Sequence, residues 1–141
     1  MISPQAPDIE AAVLGCMINA TDSLVIGMDM LNRESFYLEK NQVIFDQIHR
    51  LSQSERQIEI TTIVQKLHDS GKTELAGGIK YIISLISHHS HAAFESHCLI
   101  LKEKQTSRAQ LKFGNELISM AEASTSDPFD VNTFMVDTVN D

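Results

Sequence analysis

The stretch "HAAFESHCLILKEKQTSRAQLKFGNELISMAEAS", residues 91–124, contains no proline, and only Gly114 weakens its helical character. An uninterrupted run of this length predicts one long helix. The following residues, "TSDPFDVNTFMVDTVND", predict a second helix, with Asp127 as cap, Pro128 at the first helical position, and Val131, Phe134, Met135 and Thr138 on one side. A long helix, a short connection and a returning helix make a helical hairpin, and two helices cannot bury all their apolar faces against each other. The second helix is still amphipathic at Asp141 and has no stop signal, so the chain is expected to be cut from something longer.

Upstream of the long run, "SLISHHSHAAFESH", residues 84–97, holds His88, His89, His91 and His97, four of the chain's six histidines. Imidazole ligates zinc, and helical ligands favour spacings of three or four. His88 and His91 meet that spacing only if the helix already runs there, whereas Ser87 to Ser90 read as a cap region. A polar joint with one ring packed inward is the favoured interpretation. A histidine-cluster metal-binding helical protein is the alternative, and titration of rings at a joint implies a modest pH sensitivity of the angle between the parts it connects.

Working back to the N-terminus, helical periodicity predicts a compact multi-helix head over residues 1–90, followed by the hairpin over 91–141. The first helix should start with Asp8 as cap and face inward with Ile9, Ala12, Val13, Cys16 and Met17. A second should be capped by Thr21 or Asp22 and turn Leu24, Val25, Met28 and Leu31 inward. Phe36 and Tyr37 mark the core edge before a third helix bearing Ile44, Phe45, Ile48 and Leu51. Thr61 or Thr62 should cap a fourth with Ile63, Val64 and Leu67, ended by Gly71 in the left-handed conformation. "GIKYIISLIS" then predicts a compact helix burying Tyr81, Ile82, Leu85 and Ile86. No stretch alternates cleanly with a hairpin turn, so the fold class is all-α.

Composition supports this. The chain has 141 residues, 43% of them hydrophobic and only 6% aromatic, enough for one packed head and better suited to helix packing than to a sandwich. Eleven Lys and Arg against nineteen Asp and Glu give a net charge of −8, which opposes a general attraction to nucleic acid. Lys102, Lys104, Arg108 and Lys112 form the nearest thing to a basic stripe, but Glu103 and Glu116 interrupt it; a solvated helix face explains them. Cys16 and Cys98 lie in apolar helical patterns and read as reduced core thiols of a cytoplasmic protein. The apolar runs are too short to span a bilayer.

Catalytic motifs do not survive inspection. Gly71-Lys72-Thr73 matches the tail of a phosphate-binding loop, but the first glycine of that pattern would fall on Lys66, and the segment before it is helical rather than a strand. Glu39, Asp46, Glu55 and Glu59 sit at solvent-facing positions, and no nucleophile has a supporting strand-turn-helix context. No catalytic, cofactor-binding or metal residue is assigned.

Leu14-Gly15, Phe36-Tyr37 with Asn41 to Ile48, Ile60-Thr61 through Leu67, Ser70-Gly71 and "GGIKYIISL" from Gly77 to Leu85 form an ordered series. Together with "HAAFESHCLILKEK" they resemble the N-terminal domain of the DnaB family of bacterial replicative DNA helicases, over about residues 4 to 123. The resemblance implies an all-α head and helical hairpin that form the collar of a ring-shaped hexamer, with hairpins of neighbouring subunits pairing and the collar docking primase or a helicase loader. ATP and Mg would belong to a RecA-like C-terminal domain absent from this chain, so the fragment has no catalysis of its own while the full protein would be an ATP-dependent DNA helicase. DNA would be met only by the full-length ring. The apolar faces expected to pack against each other and a second subunit are those of Leu111, Phe113, Leu117, Ile118, Phe134 and Met135.

Overall fold

The computed structural model describes residues 5–54, 56–88 and 90–123. Six α-helices follow in order: α1 (Pro7–Asn19), α2 (Thr21–Met30), α3 (Glu39–Gln53), α4 (Ile60–Asp69), α5 (Ile79–Ser84) and α6 (Phe94–Glu122). Short 3-10 turns cover Arg33–Ser35, Leu85–Ser87 and His91–Ala93. Among the described residues there is no strand, as the all-α expectation requires. The chain divides into two compact units, Met1–Gln105 and Thr106–Asp141. The expected second hairpin helix, with its Asp127 cap, lies outside the described residues.

One core organises the first unit. Val13, Leu14 and Met17 of α1, Phe36 just after the Arg33–Ser35 turn, Ile44, Ile48 and Leu51 of α3, Ile63 and Leu67 of α4, Ile82 of α5 and Leu85 are all buried in it. Phe94, Cys98 and Leu101 of α6 join them, so the start of the long helix belongs to this core. The heptad-like 94-98-101 spacing puts these three on one helix face. Phe36 and Phe45 meet as tilted rings with centroids 5.1 Å apart.

Two glycines admit contacts that a side chain would block, a backbone at one and a methionine side chain at the other. A Cβ on Gly15 would lie 2.1 Å from the carbonyl oxygen of Leu85, so α1 crosses the Leu85–Ser87 turn at a point open only to glycine. A Cβ on Gly27 would lie 2.7 Å from Met17 Sδ. Consequently α2 packs through Ser23 and Gly27, both buried. That turns Val25 outward to 63% exposure, against the expectation that it faced the core. Ile86, also expected inside, is 38% exposed: the tighter 3-10 turn advances side chains by about 120° per residue instead of 100° and swings it out.

Helix starts differ from the expected caps. α1 begins at Pro7 after Ala6, because a ring-fixed φ and a missing donor suit the first helical position; Asp8 sits inside the first turn, beside the positive end of the helix. α2 begins at Thr21 after Ala20, which is also the C-cap of α1, and the one-residue break leaves Thr21 and Asp22 within the helix. α4 starts at Ile60 after Glu59, upstream of both Thr61 and Thr62. At its other end the Gly71 expectation is borne out at φ +68°, with Lys72 N–H donating to the Leu67 carbonyl (2.8 Å) and Gly71 N–H to that of His68 (3.0 Å). This double closure satisfies the last carbonyls of α4.

Glu10 is fully buried, a position the periodicity did not single out. Its carboxylate accepts from the backbone N–H of Tyr37 (2.8 Å) and Leu38 (3.3 Å) and from Asn41 Nδ2 (2.9 Å), at the N-terminus of α3. Asn41 Oδ1 in turn accepts from the Tyr81 hydroxyl, and Lys40 Nζ stands 3.7 Å from the Tyr81 ring centroid. A buried carboxylate is tolerable because three donors and the positive helix end replace water. The network joins α1, α3 and α5.

Candidate partner interface

Surfaces that could receive a partner are built from apolar side chains the first unit leaves in water. On α5, Ile82 points inward while Ile79 and Ile83 remain 48% and 47% exposed, and Ile86 continues the row at helical spacing. Beside them Ile60, Thr61, Val64 and Gln65 of α4 line, with Ile83, a groove of about 380 Å³ that contains no charged residue. It adjoins a second hollow of about 430 Å³ lined by Ile18, Asn19, Ile58, Glu59, Ile60, Thr61 and Ile86. Sequence reasoning missed this face by treating α5 as one-sided. The available signal was isoleucine at 79, 82, 83 and 86, which makes a short helix apolar nearly all round.

In the second unit, the described part of α6 carries the residues singled out from sequence. Leu111, Phe113 and Leu117 are half-buried and Ile118 is 56% exposed. Leu111 and Ile118 stand seven residues apart and Phe113 and Leu117 four apart, which places them in adjoining rows of the helix. Phe134 and Met135 lie outside the described residues. Of the cations, Lys102 and Lys112 are exposed and Lys104 and Arg108 half-buried, with the exposed Glu103 between them.

The histidine stretch serves as a tied connection. Asn19 Nδ2 donates to the carbonyls of Ile86 (3.0 Å) and His88 (3.1 Å), and Cys16 Sγ lies 3.7 Å from the Ser90 carbonyl. His91 Nδ1 is 3.1 Å from Ser23 Oγ, a hydroxyl that can accept from a ring N–H or donate to a bare ring nitrogen. His97 is half-buried, and His89 lies outside the described residues. Among the described residues, no three His, Cys, Asp or Glu side chains are grouped so as to hold a metal ion, which disfavours the metal-binding alternative.

Both cysteines are buried and unpaired in the first unit. Burial raises the Cys16 thiol above its usual range. Burial, with the nearby Glu95 charge and Cys16 adding to it, pushes Cys98 up to about 11. Low thiolate content makes both poor nucleophiles near neutrality. Burial also raises Tyr81, opposed by its bond to Asn41 and reinforced by Glu10. Gly71-Lys72-Thr73 follows a helix and closes it, rather than opening one around a phosphate. Asp46, expected in solvent, is half-buried and pairs with Arg33; Glu39 and Glu59 are exposed, and Glu55 lies outside the described residues.

The model of the DnaB-like helicase N-terminal domain family matches residues 2–103. The chain belongs to that family. It is 30% identical over 131 residues to the replicative DNA helicase DnaB of Rhodothermus marinus, covering 92% of this chain and 14% of the relative. Against DnaB of Geobacillus stearothermophilus it is 30% identical over 112 residues, covering 79% of this chain and 25% of the relative. It thus spans between a seventh and a quarter of the length of these curated relatives. The fold matches the crystal structure of the N-terminal domain of DnaB helicase from Mycobacterium tuberculosis with a TM-score of 0.90 at 23% identity, covering 99% of this chain and all of that one. A second solved structure, a DnaB-like replicative helicase described with its interactions with primase, aligns at TM-score 0.69 and 21% identity, covering 81% of this chain and 27% of that one. None of the helices in the described residues is long and apolar enough to cross a membrane.

Proposed function

We propose that this domain is the collar piece of a ring-shaped, cytoplasmic replicative DNA helicase. It contributes no catalysis: it joins subunits and docks primase or a helicase loader. The observation that carries the reading is the family match over residues 2–103. Residues 1–90 are assigned to the head and 91–141 to a helical hairpin. Subunit pairing is assigned to Leu111, Phe113, Leu117, Ile118, Phe134 and Met135. ATP and Mg binding, and with them strand separation, are assigned to a C-terminal RecA-like domain of the full-length protein, and DNA is met by the completed ring.

Light scattering across a range of concentrations tests the joining role. Association that weakens at least tenfold in Leu117→Asp or Phe134→Asp, with far-UV circular dichroism unchanged, is the expected result. A strict monomer at every concentration would remove it. Docking is read separately by calorimetric titration with the cognate primase, and absence of binding there would remove primase as partner.

A further inference from the structure

The two hollows beside α5 are one groove in two compartments. Ile60 and Thr61 line both; Val64 and Ile83 close the first, Ile58 and Ile86 the second. From Ile60 to Val64 is one turn of α4, about 6 Å along its axis, so the compartments follow each other at a helical interval. Among the described residues, Glu59 is the one charged side chain lining either compartment. It is exposed, its side chain does not cap α4, and no cation among the described residues pairs with it. Arg56, three residues earlier, lines a different hollow. The groove therefore offers two apolar seats and one free carboxylate beside the second.

We propose that this groove receives a short amphipathic helix of a partner protein, with two aliphatic side chains at positions i and i+4 in the two compartments and a lysine or arginine, within a turn of the second, facing Glu59. Spacing and charge both support it. Residues four apart on a helix stand about 6 Å apart on one face, the interval between the compartments. An extended occupant fits less well: among the described residues no strand offers it a ladder, so its backbone groups would go unmet where a helix satisfies its own. A second copy of the chain also fits less well. A stable dimer takes about 800 Å² from each partner, whereas the outward face of α5 is three isoleucines exposed by 38 to 48%. So small a groove suits an occupant held by two anchors. It lies on α4 and α5, apart from the joining role given to α6.

The test is methyl NMR on the 141-residue chain labelled at Ile, Leu and Val, titrated with alanine-based helical peptides. One carries two leucines four apart and a lysine three residues beyond the second; another has glutamate in place of that lysine; a third has alanine in place of both leucines. The first peptide should shift the Ile60, Val64, Ile83 and Ile86 methyls saturably and leave Leu111 and Ile118 unmoved. Glutamate should weaken binding about fivefold, and Glu59→Gln should erase most of that difference. Loss of both leucines, or Ile83→Glu in the protein, should weaken it at least tenfold. No shift at millimolar peptide, or shifts centred on α6, would overturn the proposal. Equal affinity for the lysine and glutamate peptides would overturn it too, because any apolar hollow takes leucine. Ile60 and Ile83 signals that move with protein concentration alone would give the groove to a second copy and overturn it likewise. Where circular dichroism shows Ile83→Glu unfolded, Thr61→Lys, at an exposed position lining both compartments, takes its place with the same expected loss. A failed primase titration leaves these shifts unaffected, since they read this groove alone.

Discussion

Gly15 and Gly114 both sit inside helices, in opposite surroundings. Around Gly15, in α1, a Cβ would meet the Leu85 carbonyl oxygen at 2.1 Å and His88 Cβ at 2.7 Å. Around Gly114, in α6, a Cβ would meet nothing within 4 Å among the described residues. Helix propensity disfavours both residues to the same degree, so the first is retained for close packing within the unit and the second has no such role among the described residues. The contrast extends to the neighbours. Val13, Leu14, Cys16 and Met17 around Gly15 are buried, whereas Leu111, Leu117 and Ile118 around Gly114 are half-buried or exposed. The packing around Gly15 is complete; the described helix around Gly114 leaves apolar surface in water.

Gly15→Ala tests the first side with the largest expected effect. The methyl group would have to displace backbone rather than a flexible side-chain end, so α1 and the Leu85–Ser87 turn must separate. A loss of about 3 kcal/mol in unfolding free energy is expected, at the upper end for overpacking, with a lower urea midpoint. An unchanged midpoint would show that the crossing has slack, and would remove the contrast at its stronger end.

Alkaline titration probes the same packed interior. The Cys98 thiol, near 9 in an unfolded chain, is pushed up to about 11 in the folded one, chiefly by burial. Between these values the unfolded chain binds fewer protons than the folded chain, so stability is fully present below pH 9 and falls as pH rises towards 11. The loss should approach about 2 kcal/mol. The raised Cys16 and Tyr81 act in the same direction. Cys98→Ala should flatten the slope of urea midpoint against pH from 9 to 11, and an identical slope in that variant would place the alkaline loss elsewhere.

The packed side was legible in sequence where a regular period decides the outcome. Ile44, Phe45, Ile48 and Leu51 of α3 and Ile63 and Leu67 of α4 are buried as their spacing predicts. The uninterrupted run after His91 is helical from Phe94 to Glu122. What escaped depended on a partner element. Val25 faces out because Gly27 lets Met17 approach, and Ile86 because the chain tightens into a 3-10 turn. Glu10 is buried because its donors arrive from residues 27 to 31 positions away, a relation no local pattern encodes. For the candidate interface, the α6 apolar positions were visible as spacing. The exposed row on α5 was not, since an isoleucine-rich helix does not announce which of two apolar faces will find a partner.

The smallest effect tests the other glycine. Gly114→Ala removes the backbone entropy penalty of a mid-helix glycine and adds a methyl group to open space, so it should stabilise this stretch of α6 by about 1 kcal/mol. Amide hydrogen exchange around residues 110–118 should slow roughly fivefold, the factor that 1 kcal/mol represents, while amides of α1 and α3 are unaffected. The sign carries the information. Exchange that slows in dilute protein but speeds up where the chain associates would mean that a neighbouring backbone comes close at Gly114 in the assembly. The two glycines would then share one cause, close approach, supplied within the chain at Gly15 and between chains at Gly114.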